Sequence, residues 1–119
     1  MVAIVDYGVG NLFSLRSSLA AIGEEALVTG DPSRLRAADR LILPGVGAFG
    51  DAATRLRQSG LDQVLLEEAQ SGKPLLGICL GMQLLLQRSF EYGTHQGLGL
   101  ITGSVTPIAP AIPPSYKVP

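Results

Sequence analysis

The sequence predicts an α/β protein built on an open parallel sheet with helices on both faces. Four short apolar runs are each followed by a helical pattern, and no hairpin signal separates them. Alternation of this kind favours a parallel sheet. The runs are continuously apolar, which is typical of strands that are covered on both faces. The predicted strands span residues 2–5, 26–29, 41–43 and 75–78, with a weaker one over 98–105.

The predicted helices follow from their end signals. Asn11 is a favoured N-cap residue and Gly23 a favoured stop, and the apolar residues between them recur at the spacing of one helix face. Asp31 and Pro32 open a short helical turn, since proline fits the first helical position. The tail over residues 106–119 holds five of the eight prolines and indicates an extended connection. Further helices are predicted over residues 51–57, 61–70 and 80–88.

Composition limits the class of protein. A chain of 119 residues fits a single domain over 1–119, and nine Lys and Arg against ten Asp and Glu argue against nucleic-acid or anionic membrane partners. The single cysteine cannot form an internal disulfide, which favours a protein of the reducing cytoplasm. A Cys/His zinc site is also excluded, because the chain has only one His and one Cys. The apolar stretch over 75–86 is too short to span a bilayer. A cytoplasmic protein is therefore expected.

The strongest local signal is Gly-x-Cys-x-Gly over residues 77–81, between an apolar strand and a helical run. This is the cysteine counterpart of the nucleophile elbow, whose sharp turn requires glycine two residues either side of the nucleophile. The helix N-terminus that follows favours the thiolate of Cys79, and the backbone N–H of Leu80 is placed to hold an oxyanion. The structural alternative is that Cys79 is a small buried hydrophobe.

The loop over residues 44–50 is the second candidate element. Its glycines leave backbone N–H groups unobstructed, as an oxyanion or phosphate site requires. The loop also matches the motif Gly-x-Gly-x-x-Gly, with its glycines at Gly45, Gly47 and Gly50, so dinucleotide binding is a second interpretation. The motif follows the third strand instead of the first, and the next strand ends at Cys79 where an acidic ribose ligand is expected. A plain strand-to-helix turn is the third interpretation.

Four polar residues have structural explanations on the sequence alone. Gln83 lies one turn after Cys79 in an apolar helix start, and it either finds a partner or points to solvent. His95 is expected to be a solvated loop residue, Glu91 a surface carboxylate, and Asn11 a helix cap.

Four motifs together carry a resemblance to a known family. They are Asp-Tyr-Gly-x-Gly-Asn over 6–11, Pro-Gly-Val-Gly-Ala-Phe over 44–49, Gly-Ile-Cys-Leu-Gly-Met-Gln over 77–83, and Gly-Leu-Gly-Leu-Ile-x-Gly over 97–103. In these motifs the sequence resembles the class I (triad-type) glutamine amidotransferases, and among them the glutaminase subunits of imidazole glycerol phosphate synthase. Members of that family continue past the Lys-Val-Pro at residues 117–119 and then supply a catalytic His-x-Glu pair, so the chain is expected to be an N-terminal part that is incomplete at the C-terminus.

The resemblance implies a mechanism and a set of site residues. The nucleophile would attack the side-chain carboxamide of glutamine, and the ammonia released would pass to a (β/α)₈ cyclase subunit. No metal or organic cofactor is implied. The implied site comprises Cys79 as nucleophile, the backbone N–H groups of Val46 and Leu80 as oxyanion donors, Gly47, Gln83 and Glu91 as glutamine-binding residues, and Asn11 with its loop at the cyclase interface.

Three alternatives stay open: another class I amidotransferase with a different ammonia acceptor, a nucleotide-binding module that uses residues 45–50, and a non-catalytic binding fragment. The missing His-x-Glu pair also implies a low activity. Proton transfer by a positioned group typically contributes about 10²- to 10⁴-fold to the rate of an enzymatic reaction. Because that group is missing, the 119-residue chain alone is expected to show no useful glutaminase activity. Because strand edges would be left uncovered, it is also expected to aggregate or to fold only in part.

Overall fold

A computed structural model describes residues 1–118 and contains the predicted parallel sheet. Four strands pair in the order β2-β1-β3-β4, and all three pairings are parallel. The register places Ile4 beside Val28 on one side and beside Ile42 on the other. The sheet therefore brings the carboxyl ends of β1, β3 and β4 to one edge, where ligand sites of such sheets lie. The strands are β1 (Val2–Val5), β2 (Ala26–Thr29), β3 (Arg40–Leu43) and β4 (Leu75–Gly77).

Helices cover both faces of this sheet, as predicted. Two buried clusters divide between the faces because successive residues of a strand point to opposite sides. Ala3 and Val5 pack toward α2, α3 and α4, whereas Val2 and Ile4 pack toward α1. The helices are α1 (Leu12–Ala21), α2 (Pro32–Ala37), α3 (Phe49–Gln58), α4 (Leu61–Gln70) and α5 (Leu80–Leu84).

The first helix is capped as the sequence predicts, but it buries few side chains against the sheet. Asn11 Oδ1 accepts a hydrogen bond from the Ser14 amide at 3.2 Å. None of its residues is fully buried, and Phe13 is 81% exposed. Ile22, placed on the apolar face by its spacing, is 75% exposed because the helix ends one residue before it. Within the described residues no helix is long and apolar enough to cross a membrane.

The helix predicted over residues 80–88 is wrong in its second half. Helix α5 ends at Leu84, and the chain continues as the strand β5 (Leu86–Ser89) of a second sheet. This strand pairs in parallel with β7 (Ile101–Val105) and antiparallel with β6 (His95–Gln96). Pairing with two other strands outweighs local helical preference here. The antiparallel pair also corrects the expectation of a protein without hairpins, and the weak strand begins at 101 instead of 98.

Candidate functional site

Cys79 occupies the sharp turn between β4 and α5. Its backbone has φ 55° and ψ −120°, a left-handed conformation that non-glycine residues rarely adopt. The Ile78 amide donates to the Leu43 carbonyl oxygen at 3.0 Å, and the Gly81 amide donates to the Ile78 carbonyl oxygen at 2.9 Å. The residue is exposed, which contradicts the alternative of a buried hydrophobe. The turn therefore presents the thiol at the carboxyl end of the sheet.

The two glycines that flank Cys79 are required by space. A Cβ atom added at Gly77 would lie 2.6 Å from the Met82 Cα atom, and one added at Gly81 would overlap the Leu43 carbonyl oxygen. Both neighbours are backbone atoms, which cannot rotate away. The helix thus starts in direct contact with β3, and this contact forces the turn at Cys79.

The loop over residues 44–50 lies against the first turn of α5. Gly45 is buried, and a Cβ atom there would be 2.8 Å from the Gly81 nitrogen and 3.0 Å from the Leu80 Cβ atom. Val46 follows and is 59% exposed. Gly47 has φ 90° with open space around it. The fold therefore brings the backbone of Val46 and of Leu80 to the same edge of the sheet as Cys79.

Tyr7 connects the loop after β1 to the loop after β3. Its hydroxyl donates a hydrogen bond to the Pro44 carbonyl oxygen at 2.6 Å, within a buried environment. Burial raises the pKa of Tyr7 to about 12, because the phenolate would lose its hydration. Sequence reasoning missed this residue. The only signal was a large aromatic in a glycine-rich loop directly after a buried strand.

The raised pKa of Tyr7 predicts a loss of stability at alkaline pH. The folded state favours the neutral phenol, so this contribution is complete below the unfolded pKa of about 10. It should decline as the pH rises from there toward about 12. Titration by ultraviolet absorbance should show three tyrosines, one of which ionises late, and Tyr7→Phe should remove that late step. Tyr116→Phe, which removes an exposed phenol, should leave the late step in place, and the absence of any late step in the wild-type chain would contradict the prediction.

Glu91 is not a free surface carboxylate. Its Oε1 atom accepts a hydrogen bond from the Phe49 amide at 2.9 Å, at the first residue of α3. The Glu91 amide donates to the hydroxyl of fully buried Ser89 at 3.1 Å. The carboxylate thus caps a helix whose N-cap residue, Ala48, has no side-chain cap. Because 42 residues separate Glu91 from Phe49, no local pattern could have indicated the pairing.

This arrangement argues against the dinucleotide interpretation of the glycine motif. A phosphate would bind at the N-terminus of α3, where the negative carboxylate of Glu91 already accepts the Phe49 amide. The space beside Gly50 is filled by the His95 imidazole, whose Cε1 atom would lie 2.6 Å from a Cβ atom at Gly50. The third glycine therefore accommodates a side chain of this protein instead of a ligand.

The remaining predicted residues lie around this centre. Gln83 is half-buried, one turn after the nucleophile, and its backbone N–H donates to the Cys79 carbonyl oxygen at 3.2 Å. His95 is half-buried in β6, so its placement in a solvated loop is wrong. Its Nε2 atom lies 3.2 Å from the Tyr92 carbonyl oxygen and must be the donor, since a carbonyl only accepts. Asn11 is exposed at the start of α1, after a loop that borders a groove of about 810 Å³.

Several known proteins are similar to this chain. The family model for CobB/CobQ-like glutamine amidotransferase domains matches residues 3–108. The imidazole glycerol phosphate synthase subunit HisH of Wolinella succinogenes is 54% identical over an alignment of 120 positions, which covers 100% of this chain and 58% of the relative. HisH of Methanothermobacter thermautotrophicus is 53% identical, with 100% of this chain and 57% of that protein covered. The chain thus spans a little over half the length of these curated relatives.

Solved structures show the same fold. A crystal structure described as a glutamine amidotransferase aligns with a TM-score of 0.75 and 23% identity, over 88% of this chain and 55% of that chain. A putative peptidase E protein from Listeria monocytogenes aligns with a TM-score of 0.69 and 16% identity, over 84% of this chain and 62% of that one. At these low identities the two alignments support only a shared fold. The family model, in contrast, matches residues 3–108 of the sequence. The chain belongs to the CobB/CobQ-like glutamine amidotransferase domain family.

Proposed function

We propose that this chain carries the nucleophile side of a glutaminase site, in which Cys79 releases ammonia from the side chain of glutamine. The observation that supports this most directly is the exposed Cys79 in a left-handed turn, with the buried Gly45 packed against the helix that follows it. A strained nucleophile at a strand-to-helix turn, beside unobstructed backbone N–H groups, suits acyl transfer better than binding.

In the proposed reaction the Cys79 thiolate attacks the carboxamide carbon of glutamine and forms a tetrahedral intermediate. The developing oxyanion would accept hydrogen bonds from the backbone N–H groups of Val46 and Leu80. Collapse of the intermediate breaks the C–N bond, releases ammonia and leaves a glutamyl thioester, which water hydrolyses to glutamate. The protons require a base, which family resemblance assigns to a His-x-Glu pair that these 119 residues do not include.

Glu91 is proposed to bind the α-ammonium of the substrate. One carboxylate oxygen is held by the Phe49 amide, which fixes the position of the group. A carboxylate accepts further hydrogen bonds on its remaining lone pairs, so the second oxygen stays available to an ammonium. Gly47, which adds no side chain, and Gln83, one turn after the nucleophile, are proposed to border the rest of the glutamine.

Similarity to HisH subunits supports a partner as well. We propose that the chain works in the cytoplasm with the cyclase subunit of an imidazole glycerol phosphate synthase, a (β/α)₈ barrel, and that Asn11 with its loop faces that subunit. The glutaminase domain proposed over 1–119 needs neither a metal nor an organic cofactor for this chemistry. Binding to cyclase subunits can be measured by titration calorimetry, and binding only to a different synthase would indicate another class I amidotransferase.

The proposed function is tested by two reagents that alkylate the single thiol. The chloromethyl ketone analogue of glutamine carries the α-amino acid group and a carbonyl beside the reactive carbon, whereas iodoacetamide carries no glutamyl group. Mass spectrometry should find both on Cys79, with the analogue favoured over iodoacetamide far beyond its ratio on free cysteine. Excess glutamine should protect against the analogue. Equal preference on the protein and on free cysteine would contradict the proposal.

Glu91→Gln tests whether Glu91 binds the α-ammonium group of the glutamine analogue. The amide keeps the size and an oxygen acceptor for the Phe49 amide but loses the charge that would pair with the ammonium. Charged hydrogen bonds are worth about 1.5–3 kcal/mol, so labelling by the glutamine analogue should slow about tenfold or more. Labelling by iodoacetamide should stay the same. Asp51→Asn, an exposed carboxylate in the first turn of α3, is the control, and an equal effect in both variants would contradict the role of Glu91.

A further inference from the structure

We propose that Tyr7 is a positioning residue for the oxyanion side of this site. Its hydroxyl holds the Pro44 carbonyl, and so sets the backbone of Gly45 and Val46 against the turn at Cys79. The inference rests on the proposed function and extends it to Tyr7, a residue of the loop after β1 that is not among the proposed catalytic or substrate-binding residues.

The hydrogen bond itself is suited to this task. Tyr7 is 6% exposed and its hydroxyl lies 2.6 Å from the Pro44 oxygen. Pro44 is buried as well, so water cannot replace the phenol as donor. A peptide unit is planar, and the carbonyl of Pro44 therefore fixes the orientation of the Gly45 N–H on the same plane. The next peptide carries the N–H of Val46.

Gly45 is enclosed between the phenol and the turn. A Cβ atom there would lie 2.9 Å from the Tyr7 hydroxyl oxygen, 2.8 Å from the Gly81 nitrogen and 3.0 Å from the Leu80 Cβ atom. One backbone position thus touches both Tyr7 and the first turn of α5. Since Val46 and Leu80 are the proposed oxyanion donors, the distance between them depends on how Gly45 is seated. Removal of the hydroxyl would leave the Pro44 carbonyl buried without its donor and free the loop to shift.

The first loop offers a second contact that supports the same geometry. A Cβ atom at Gly10 would lie 3.1 Å from the Pro44 Cβ atom, so the chain after β1 packs directly on the start of the β3 loop. The sheet places β1 beside β3, with Ile4 paired to Ile42. Tyr7 lies two residues after the end of β1, so it reaches Pro44 from a loop whose starting point is held by the pairing of β1 with β3.

The test compares Tyr7→Phe with Tyr116→Phe, in the full chain. Both remove one phenol oxygen, but Tyr116 is 67% exposed and lies outside the site. The first measurement is the rate at which Cys79 is alkylated by the chloromethyl ketone analogue of glutamine and by iodoacetamide. In both reactions the sulfur displaces halide from carbon, forming a C–S bond as the C–Cl or C–I bond breaks. The glutamyl group of the analogue seats its ketone oxygen at the oxyanion donors and so positions the chloromethyl carbon beside the sulfur, whereas iodoacetamide has no glutamyl group and reacts without that seating.

Tyr7→Phe is expected to slow labelling by the analogue about tenfold or more, because small misplacements in such sites cost up to about a hundredfold. Labelling by iodoacetamide should change less than about twofold, since the thiol stays exposed. Amide exchange, followed by mass spectrometry, should accelerate over residues 44–50 and stay unchanged over 61–70. Tyr116→Phe should alter none of these. Fluorotyrosine at position 7, which keeps the O–H donor, should restore the rate of the wild-type chain.

Four results would overturn the inference. Unchanged labelling and exchange in Tyr7→Phe would show that the hydroxyl positions nothing. A parallel fall with both reagents, without restoration by fluorotyrosine, would indicate a purely structural role. If the wild-type chain shows no preference for the analogue, the proposed function fails and the inference fails with it. A preference that Tyr7→Phe keeps in full overturns the inference alone.

Discussion

Cys79→Ser is expected to abolish covalent labelling of the chain by either reagent, from one label per molecule to none. Cys79 is the only cysteine, and a serine hydroxyl at neutral pH lacks the nucleophilicity of a thiolate. Loss of a nucleophile lowers catalytic rates by at least about 10³-fold even where the rest of a site is intact. Any ammonia release by complexes that contain the chain should fall with the labelling. The measurement is intact-mass spectrometry after timed incubation.

Cys79→Gly provides a matched control for this result, since it also removes the thiol. Glycine adopts φ 55° without a Cβ clash, whereas the cysteine backbone stores about 1–3 kcal/mol there. The glycine variant should therefore unfold at a higher temperature than Cys79→Ser while remaining equally unreactive. Residual labelling in both variants would show that the reagents react elsewhere and would contradict the assignment of Cys79. A glycine variant no more stable than the serine variant would contradict the strain at this turn.

Gly81→Ala is expected to have the largest effect on stability. The new methyl group would overlap the Leu43 carbonyl oxygen, which also accepts the Ile78 amide, so relief requires α5 to move off the end of β3. Overpacking typically costs about 1–3 kcal/mol and more where backbone must shift. Because domains are stable by only about 5–15 kcal/mol, the thermal unfolding transition should shift by many degrees or vanish. Circular dichroism during heating measures it.

Gly72→Ala is the control for the glycine substitution. No heavy atom outside its chain neighbours lies within 4 Å of a Cβ atom there, and only its positive φ of 98° opposes a side chain. Its cost should be about 1–2 kcal/mol, from backbone strain alone. Equal unfolding temperatures for the two alanine variants would show that the contact between α5 and β3 does not constrain the turn.

The four strands of the parallel sheet were predictable because each depends on a short local pattern, whereas their order in the sheet was not predicted. Continuous apolar runs after polar breaks identified β1 to β4, and short cap and stop signals located the helices between them. Where the pattern was weak the prediction was wrong: residues 86–88 carry no break from the helix before them, yet they pair with β7. Their pairing with β7 depends on residues more than ten positions away along the chain, which a local pattern does not contain.

In the candidate site, too, one part follows from a local pattern and the other part from contacts between distant residues. The sequence by itself determined the turn at Cys79, since the two flanking glycines and the following helix lie within five residues and leave few other conformations. Only the tertiary structure decided which groups surround it. The Tyr7 hydroxyl meets Pro44 across 37 residues, and the Glu91 carboxylate meets the Phe49 amide across 42. These contacts form only when the sheets assemble, because the pairing of strands that are distant in sequence brings the bonded atoms within hydrogen-bond distance.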